Sequence, residues 1–463
     1  MLETIILLIF SAILIVGIST GIPLYVSLFF GFVMFSCYGI YKGKTAKELF
    51  HLSAEGLTTI GPILLLFILI GMLTASWRAA GTIPAITCYS SRLVQPSTLI
   101  LLTFILSSAM GLITGSAFAT SATIGVICMT IGNAMGANPA LVGGAVLSGC
   151  FFGDRTSPMS GSSNLVASLT DTKLFTNLNR MIRTAIVPLI ICCVTYHLLG
   201  NKLTGSTNND FTSLFINDFD LSWYVITPTL VIIALSLFKV SVKKSMVASL
   251  LLAIAICVTT QGYEITQIPS LLVFGYHTQN EAIAPMVNGG GILSMAHISL
   301  VICVASTYSG LFKGTGLLDG LHAAIIKLSR RTTAYTGVLA TAIVTTGIAC
   351  DQTLSIMLTY QLCDEVEADG EALALDLLNS SSITCSLMPW TTSCMGCLAF
   401  MNAPYTSCAL AIFPITMCAW FMILSVYNKK HPKFVEGQAG QLLGFTEKDD
   451  VRNFLDADNK LIA

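Results

Sequence analysis

Residues 153–164 read GDRTSPMSGSSN and directly follow ALVGGAVLSGCFF (140–152). The second stretch is apolar enough to lie in lipid; the first holds Asp154, Arg155, a proline and four serines. At a helix centre in hydrocarbon a charge costs roughly 2.5–3.5 kcal/mol on insertion scales, and unpaired backbone groups cost several kcal/mol more. A chain that carries such a cost at the end of a membrane segment has a use for the groups it leaves there. Two facts decide the fold: whether the rest of the chain is membrane, and whether the interruption occurs twice.

The composition answers the first. The chain has 463 residues, of which 54% are hydrophobic and 10% charged, against ~25% charged in an ordinary soluble domain. Mean hydropathy is +0.79. Helix-length apolar segments recur from one end to the other, unlike the short alternating strands of outer-membrane barrels. The expected fold class is an all-α polytopic membrane protein. MLETIILLIFSAILIVGIST (1–20) has no basic leader region and is read as a retained first helix. Most of the fifteen cysteines lie in apolar runs and are expected as reduced, small hydrophobes. CMGC (394–397) has zinc-ligand spacing but no second CxxC or nearby His, so no metal or other cofactor is expected. A net charge of −1 without a basic stripe excludes nucleic acid, and the absence of GxxxxGK[ST] argues against ATP drive.

The interruption does occur twice. Candidate membrane segments lie near 3–18, 22–41, 57–77, 97–114, 116–134, 139–160 and 184–200, then near 221–238, 245–261, 291–312, 333–350, 351–363, 376–400 and 405–426. The two sets pair in order: MGLITGSAFATSATIG (110–125) with TTGIACDQTLSIMLTY (345–360), and TSPMSGSSN (156–164) with SLMPWTTSC (386–394). We therefore divide the chain into a first repeat (1–200), an extracellular linker (201–220), a second repeat (221–426) and a cytoplasmic tail (427–463). Seven passes per repeat invert the second; the short or Gly/Ser/Thr-rich segments 116–134 and 351–363 are passes or re-entrant hairpins, and the pairing and parity survive if both change together. With both termini cytoplasmic, 19 of the 23 lysines and arginines fall inside, as the positive-inside rule requires. Inverted repeats with interrupted segments mark a secondary transporter whose site lies at the repeat interface.

Pro158 and Pro389 are the expected helix breaks, each freeing carbonyls and amides. Ser160, Ser162, Ser163 and Asn164 at one break, and Thr391, Thr392 and Ser393 at the other, supply the neutral oxygens that suit Na⁺ and permit its release. The alternative reading is close helix packing by small residues. Asp154 and Asp351 are the candidate acids for coupling protons to a cation; Asp351 is otherwise a helix cap, and Asp154 with Arg155 otherwise forms a buried pair or reaches the interface. Asn379 completes a polar site or joins helices. Trp77, Arg78 and Gly81 are expected at an interface turn. VNGGGILSM (287–295) either faces an anion with its amides or allows a tight bend.

With these residues the chain resembles the NhaC family of sodium/proton antiporters, over about residues 1–426. The resemblance rests on LTASWRAAGTIP (73–84), GCFFGDRTSPMSGSSNL (149–165), CDQ (350–352) and LMPW (387–390). Gly153, Asp154, Ser157, Pro158, Ser160 and Asn164 fall on the family pattern GxYFGDKxSPLSDTTNL, with Arg155 in place of Lys, and Gln352 stands beside Asp351. The resemblance implies Na⁺ efflux against H⁺ uptake by alternating access in a bacterial cytoplasmic membrane. Membrane lipid, Na⁺ and H⁺ are the implied partners; a homodimer is one assembly open to it. Family carboxylates are missing, with Gly161 at one position and Leu378 and Asn379 in place of an acidic pair. A site so altered also suits Na⁺- or H⁺-coupled transport or exchange of a small carboxylate or amino acid. A channel and an intramembrane enzyme are the readings from other classes, and no nucleophile-and-base arrangement supports the enzyme.

Overall fold

The computed structural model describes residues 2–430 apart from 21, 59, 94, 202–214, 217, 239, 281–282, 316–328, 330 and 365–368. Most of the expected linker and nearly all of the expected tail lie outside the described residues. The first half contains α1 (Leu2–Thr20), α2 (Leu24–Tyr41), α3 (Ala46–Thr58), α4 (Gly61–Ala79), α5 (Thr82–Leu93), α6 (Pro96–Thr114), α7 (Ala117–Thr120), a π turn at Ser121–Gly125, α8 (Val126–Ala134), α9 (Pro139–Thr156), α10 (Gly161–Leu169) and α11 (Leu174–Asn201). In the second half lie α12 (Thr227–Leu237), α13 (Val242–Thr259), α14 (Ile268–Phe274), α15 (Ala284–Val287), α16 (Ala296–Thr315), α17 (Ala334–Ala349), α18 (Gln352–Cys363), α19 (Gly370–Asn379), α20 (Ser381–Thr384), α21 (Thr392–Met401) and α22 (Ile412–Lys430). An antiparallel bridge between Tyr276 and Gly289 is the one β pairing among the described residues.

Among the described residues five stretches are helical, long and apolar enough to cross a membrane: 61–79, 97–114, 117–134, 174–201 and 242–259. Shorter apolar helices accompany them in both halves. The protein is an all-α, multi-pass membrane protein. Its prolines sit mostly where helices start: Pro62, Pro96, Pro139 and Pro269 occupy first turns, where no backbone bond is lost.

Small residues set a close helix crossing at the end of α9. A Cβ on Gly153 would stand 2.5 Å from the backbone of Gly111, and one on Gly149 2.7 Å from the carbonyl oxygen of Phe104. Helices α6 and α9 therefore meet backbone to backbone, as membrane helices with glycine faces do. This contact fixes the end of α9, and with it Asp154.

Two apolar cores result, and each draws on both halves. One is built mainly from α1–α5 with residues 215–311, around Phe67, Trp77 and Tyr308; the other from α6–α11 with residues 335–424, around Phe151, Tyr196 and Tyr335.

Three local expectations change. The run at 184–200 is the later part of α11, which starts ten residues earlier and carries the buried Arg180 3.8 Å from Glu371. The run at 376–400 is split among α19, α20, a 3-10 turn at Cys385–Leu387 and α21, because the chain breaks at Ser380 as well as before Thr391. Trp77 is in the core, where its Nε1 donates to Ser249 Oγ at 3.0 Å; the turn beside it is at Gly81, with φ +75°.

Candidate functional site

The site grows from the end of α9. Asn138 caps that helix by accepting the Ala140 amide at 2.9 Å, and the helix runs to Thr156, where Ser157 turns extended. Four residues later Ser160 caps α10 by accepting the Ser163 amide at 3.3 Å. Asp154 thus lies on the last turn before a break, buried. Its carboxylate is met by the side chains of Ser160, Ser162 and Gln352. The two serines also bond each other at 2.8 Å. Gln352 opens α18 in the second half and donates its amide to the Ser382 carbonyl at 2.7 Å. Asp154 is thereby joined to both halves.

The second break has the same construction. After the 3-10 turn the chain extends at Met388, and Thr391 caps α21 by accepting the Cys394 amide at 3.3 Å while its hydroxyl donates to the Cys385 carbonyl at 2.6 Å. Trp390 Nε1 donates to the Gly347 carbonyl at 3.0 Å and the Thr392 amide to the Cys350 carbonyl at 2.7 Å, docking the break on the turn between α17 and α18. In that turn Cys350 adopts a left-handed conformation (φ 55°) and Asp351 caps α18, accepting the Leu354 amide at 3.0 Å on one oxygen and the Thr392 hydroxyl at 3.2 Å on the other. The paired stretch of the first half does the same with Gly115 (φ 62°) and the cap Ser116. A cysteine in that conformation costs ~1–2 kcal/mol that glycine does not.

The remaining candidates divide. Ser157 accepts the Met159 amide at 3.2 Å, Ser163 donates to the Arg155 carbonyl at 2.7 Å, and Asn164 donates to the carbonyls of Ser160 and Pro158 at 2.7 and 3.2 Å. These hold the break in shape without touching Asp154. Pro158 lies exposed on the break and Pro389 half-buried; Ser393 is buried on α21. The thiols of Cys150, Cys385 and Cys397 lie within electrostatic reach of Asp154, and Cys385 within reach of Asp351 as well. All fifteen cysteines are free thiols, including both of CMGC.

Arg155 neither pairs with Asp154 nor reaches the surface. Its side chain is fully buried, donates Nη2 to the Met181 carbonyl at 3.3 Å and lies 5.8 Å from the centre of the Phe413 ring. Among the described residues Nε and Nη1 have no hydrogen-bond partner, and neither does either amide atom of Asn379 or the Ser382 hydroxyl. A buried donor left unpaired costs ~1–3 kcal/mol, and more when charged.

The glycine turn at 288–291 packs. Gly289, Gly290 and Gly291 all have positive φ, a Cβ on Gly290 would stand 2.6 Å from the Ala75 amide, and the Gly289 and Gly291 amides are spent on the carbonyls of Tyr276 and Gly71. Arg78 Nη1 donates to the Asn288 carbonyl at 2.9 Å and secures the turn. Sequence reading missed a buried hydroxyl cluster: Thr345 bonds Thr359 at 2.7 Å, and Thr346 bonds Ser355 at 2.6 Å and Thr384 at 2.9 Å. Ser355 and Thr359, four apart on α18, are the signal that could have found it.

Residues 149–428, which carry both breaks and both acids, match the model described as the Na⁺/H⁺ antiporter family. The chain belongs to that family. Among its relatives, the malate-2H⁺/Na⁺-lactate antiporter of Bacillus subtilis (strain 168) is 28% identical over 80% of this chain and 82% of its own length. The Na⁺/H⁺ antiporter NhaC of Alkalihalophilus pseudofirmus is 26% identical over 83% of this chain and 85% of its own. The arginine/ornithine antiporter ArcD of Halobacterium salinarum is 25% identical over 85% and 84%.

Proposed function

We propose that the protein is a secondary antiporter that exchanges Na⁺ for H⁺ across a bacterial cytoplasmic membrane, with no enzymatic step and no resident cofactor. The observation that carries this is the Asp154 carboxylate, buried between two broken segments and met by Ser160, Ser162 and Gln352 from the two halves. Neutral oxygens around one carboxylate suit a monovalent hard cation. A proton and a Na⁺ compete for that carboxylate. With neither bound, a buried unpaired charge opposes reorientation, so only a loaded carrier crosses, and this enforces exchange. Asp351 serves the second half of the same site, tied to Thr392 and to the first turn of α18. The matching caps at Ser116 and Asp351, and at Ser160 and Thr391, support two related halves; the charge distribution supports their opposite orientation with both termini inside.

The test is direct. Purified protein in tight vesicles with an internal pH dye is given a Na⁺ gradient and no organic solute. Proton flux opposite to Na⁺ that persists with the voltage clamped is the expected result; silence from folded protein sinks the reading.

A second reading has its own support. Two of the relatives are named for organic substrates, and Gly161, Leu378 and Asn379 stand where the family resemblance expects carboxylates. In this reading the same scaffold exchanges a small carboxylate or amino acid, coupled to Na⁺ or H⁺.

A further inference from the structure

We infer that Arg155, Asn379 and Ser382 form a buried receptor for the carboxylate of a small organic acid, beside the Asp154 cation site; this rests on the second reading above. All three side chains are buried, and all three have polar atoms that no described residue satisfies: Nε and Nη1 of Arg155, both amide atoms of Asn379 and the hydroxyl of Ser382. They belong to one neighbourhood. The Asn379 carbonyl accepts from Tyr335 Oη at 2.9 Å and Cys418 Sγ at 3.6 Å, and both of those groups lie within electrostatic reach of the Arg155 guanidinium. The Ser382 carbonyl holds Gln352, which meets Asp154.

The unsatisfied set is weighted toward donors around a fixed positive charge, and that selects an anion with two or more acceptor oxygens. Among the described residues no carboxylate lies within ion-pair distance of Arg155, and the groups that act on its charge are Tyr335 and Cys418. A structural role for Arg155, joining α9 to α11 through Met181, uses one donor and leaves the others unexplained. Because Asp154 and Arg155 are consecutive, a cation and a carboxylate load on adjacent residues, and each cancels the charge the other brings. Binding of either therefore strengthens binding of the other.

The test measures thermal unfolding of the full-length protein in detergent with L-lactate, L-malate and the neutral analogue lactamide, at matched ionic strength, in Na⁺ and in choline. The expected result is a midpoint raised by a carboxylate and not by lactamide, more so in Na⁺. Arg155→Gln removes the shift but also the bond to Met181, so Asn379→Asp carries the decision. It places a carboxylate in the neighbourhood of the guanidinium, and the ligand-free midpoint should hold or rise while carboxylate affinity drops about a hundredfold. A wild-type protein that responds to neither acid overturns the inference, as does an Asn379→Asp protein that responds like the wild type. Na⁺-driven proton flux without a carboxylate response overturns it and leaves the antiport reading standing. A carboxylate response without that flux supports it and removes only the Na⁺/H⁺ reading.

Discussion

Asp154 and Asp351 are both acids at helix ends, yet the fold uses them differently. Asp154 faces two hydroxyls and an amide and caps nothing, so Asp154→Asn keeps the shape and the hydrogen-bonding partners but removes the titrating group. Coupled flux should vanish, with folding intact by gel filtration; wild-type flux would dispose of its role. Asp351 holds a backbone amide and Thr392. Asp351→Ala should cost ~0.5–2 kcal/mol as a lost cap, read as a lower unfolding midpoint. Asp351→Ser restores a cap of the kind the first half has at Ser116, and so should recover stability without recovering flux. Full flux in the serine variant would make Asp351 a cap alone. Sequence made both acids visible because charge in an apolar run is rare. It could not show which way each points, since Gln352 and Thr392 reach them only through tertiary packing between segments far apart in the chain.

At the scale of elements, the breaks were legible where proline marks them, at Pro158 and Pro389, and invisible at Ser380, where the unusual backbone (φ −126°, ψ −86°) has no proline. Caps explain why the breaks are sharp: Ser160 and Thr391 each accept an amide that the new helix could not pair internally. The α6–α9 crossing aims these ends. Gly153→Val would drive a branched side chain into the Gly111 backbone, 2.5 Å from its first carbon. Overpacking of this kind costs ~1–3 kcal/mol, and because Asp154 is the next residue the variant should lose Na⁺ affinity as well as stability. Apparent Na⁺ affinity measured from flux checks this, and an unchanged value would show that the site tolerates the shift.

For the whole molecule, the linear division at 201–220 and the packing of the two cores are different things. Pattern and charge along the chain point to two halves, because hydropathy and loop charge are local properties. Which quarter packs with which is not local: α1–α5 pack with residues 215–311, and α6–α11 with residues 335–424, so neither half contains a complete core. Separated halves would each expose the faces that the other buries, including the side chain of Gln352 that meets Asp154. Expressed alone, residues 1–210 and residues 211–463 should each be degraded or aggregate. Expressed together they should assemble in the membrane, co-purify and recover flux, because the cut falls between the packed elements. If either half alone proves stable and monodisperse, the cores do not depend on each other, and Asp154 would have to work without the groups that reach it from the second half.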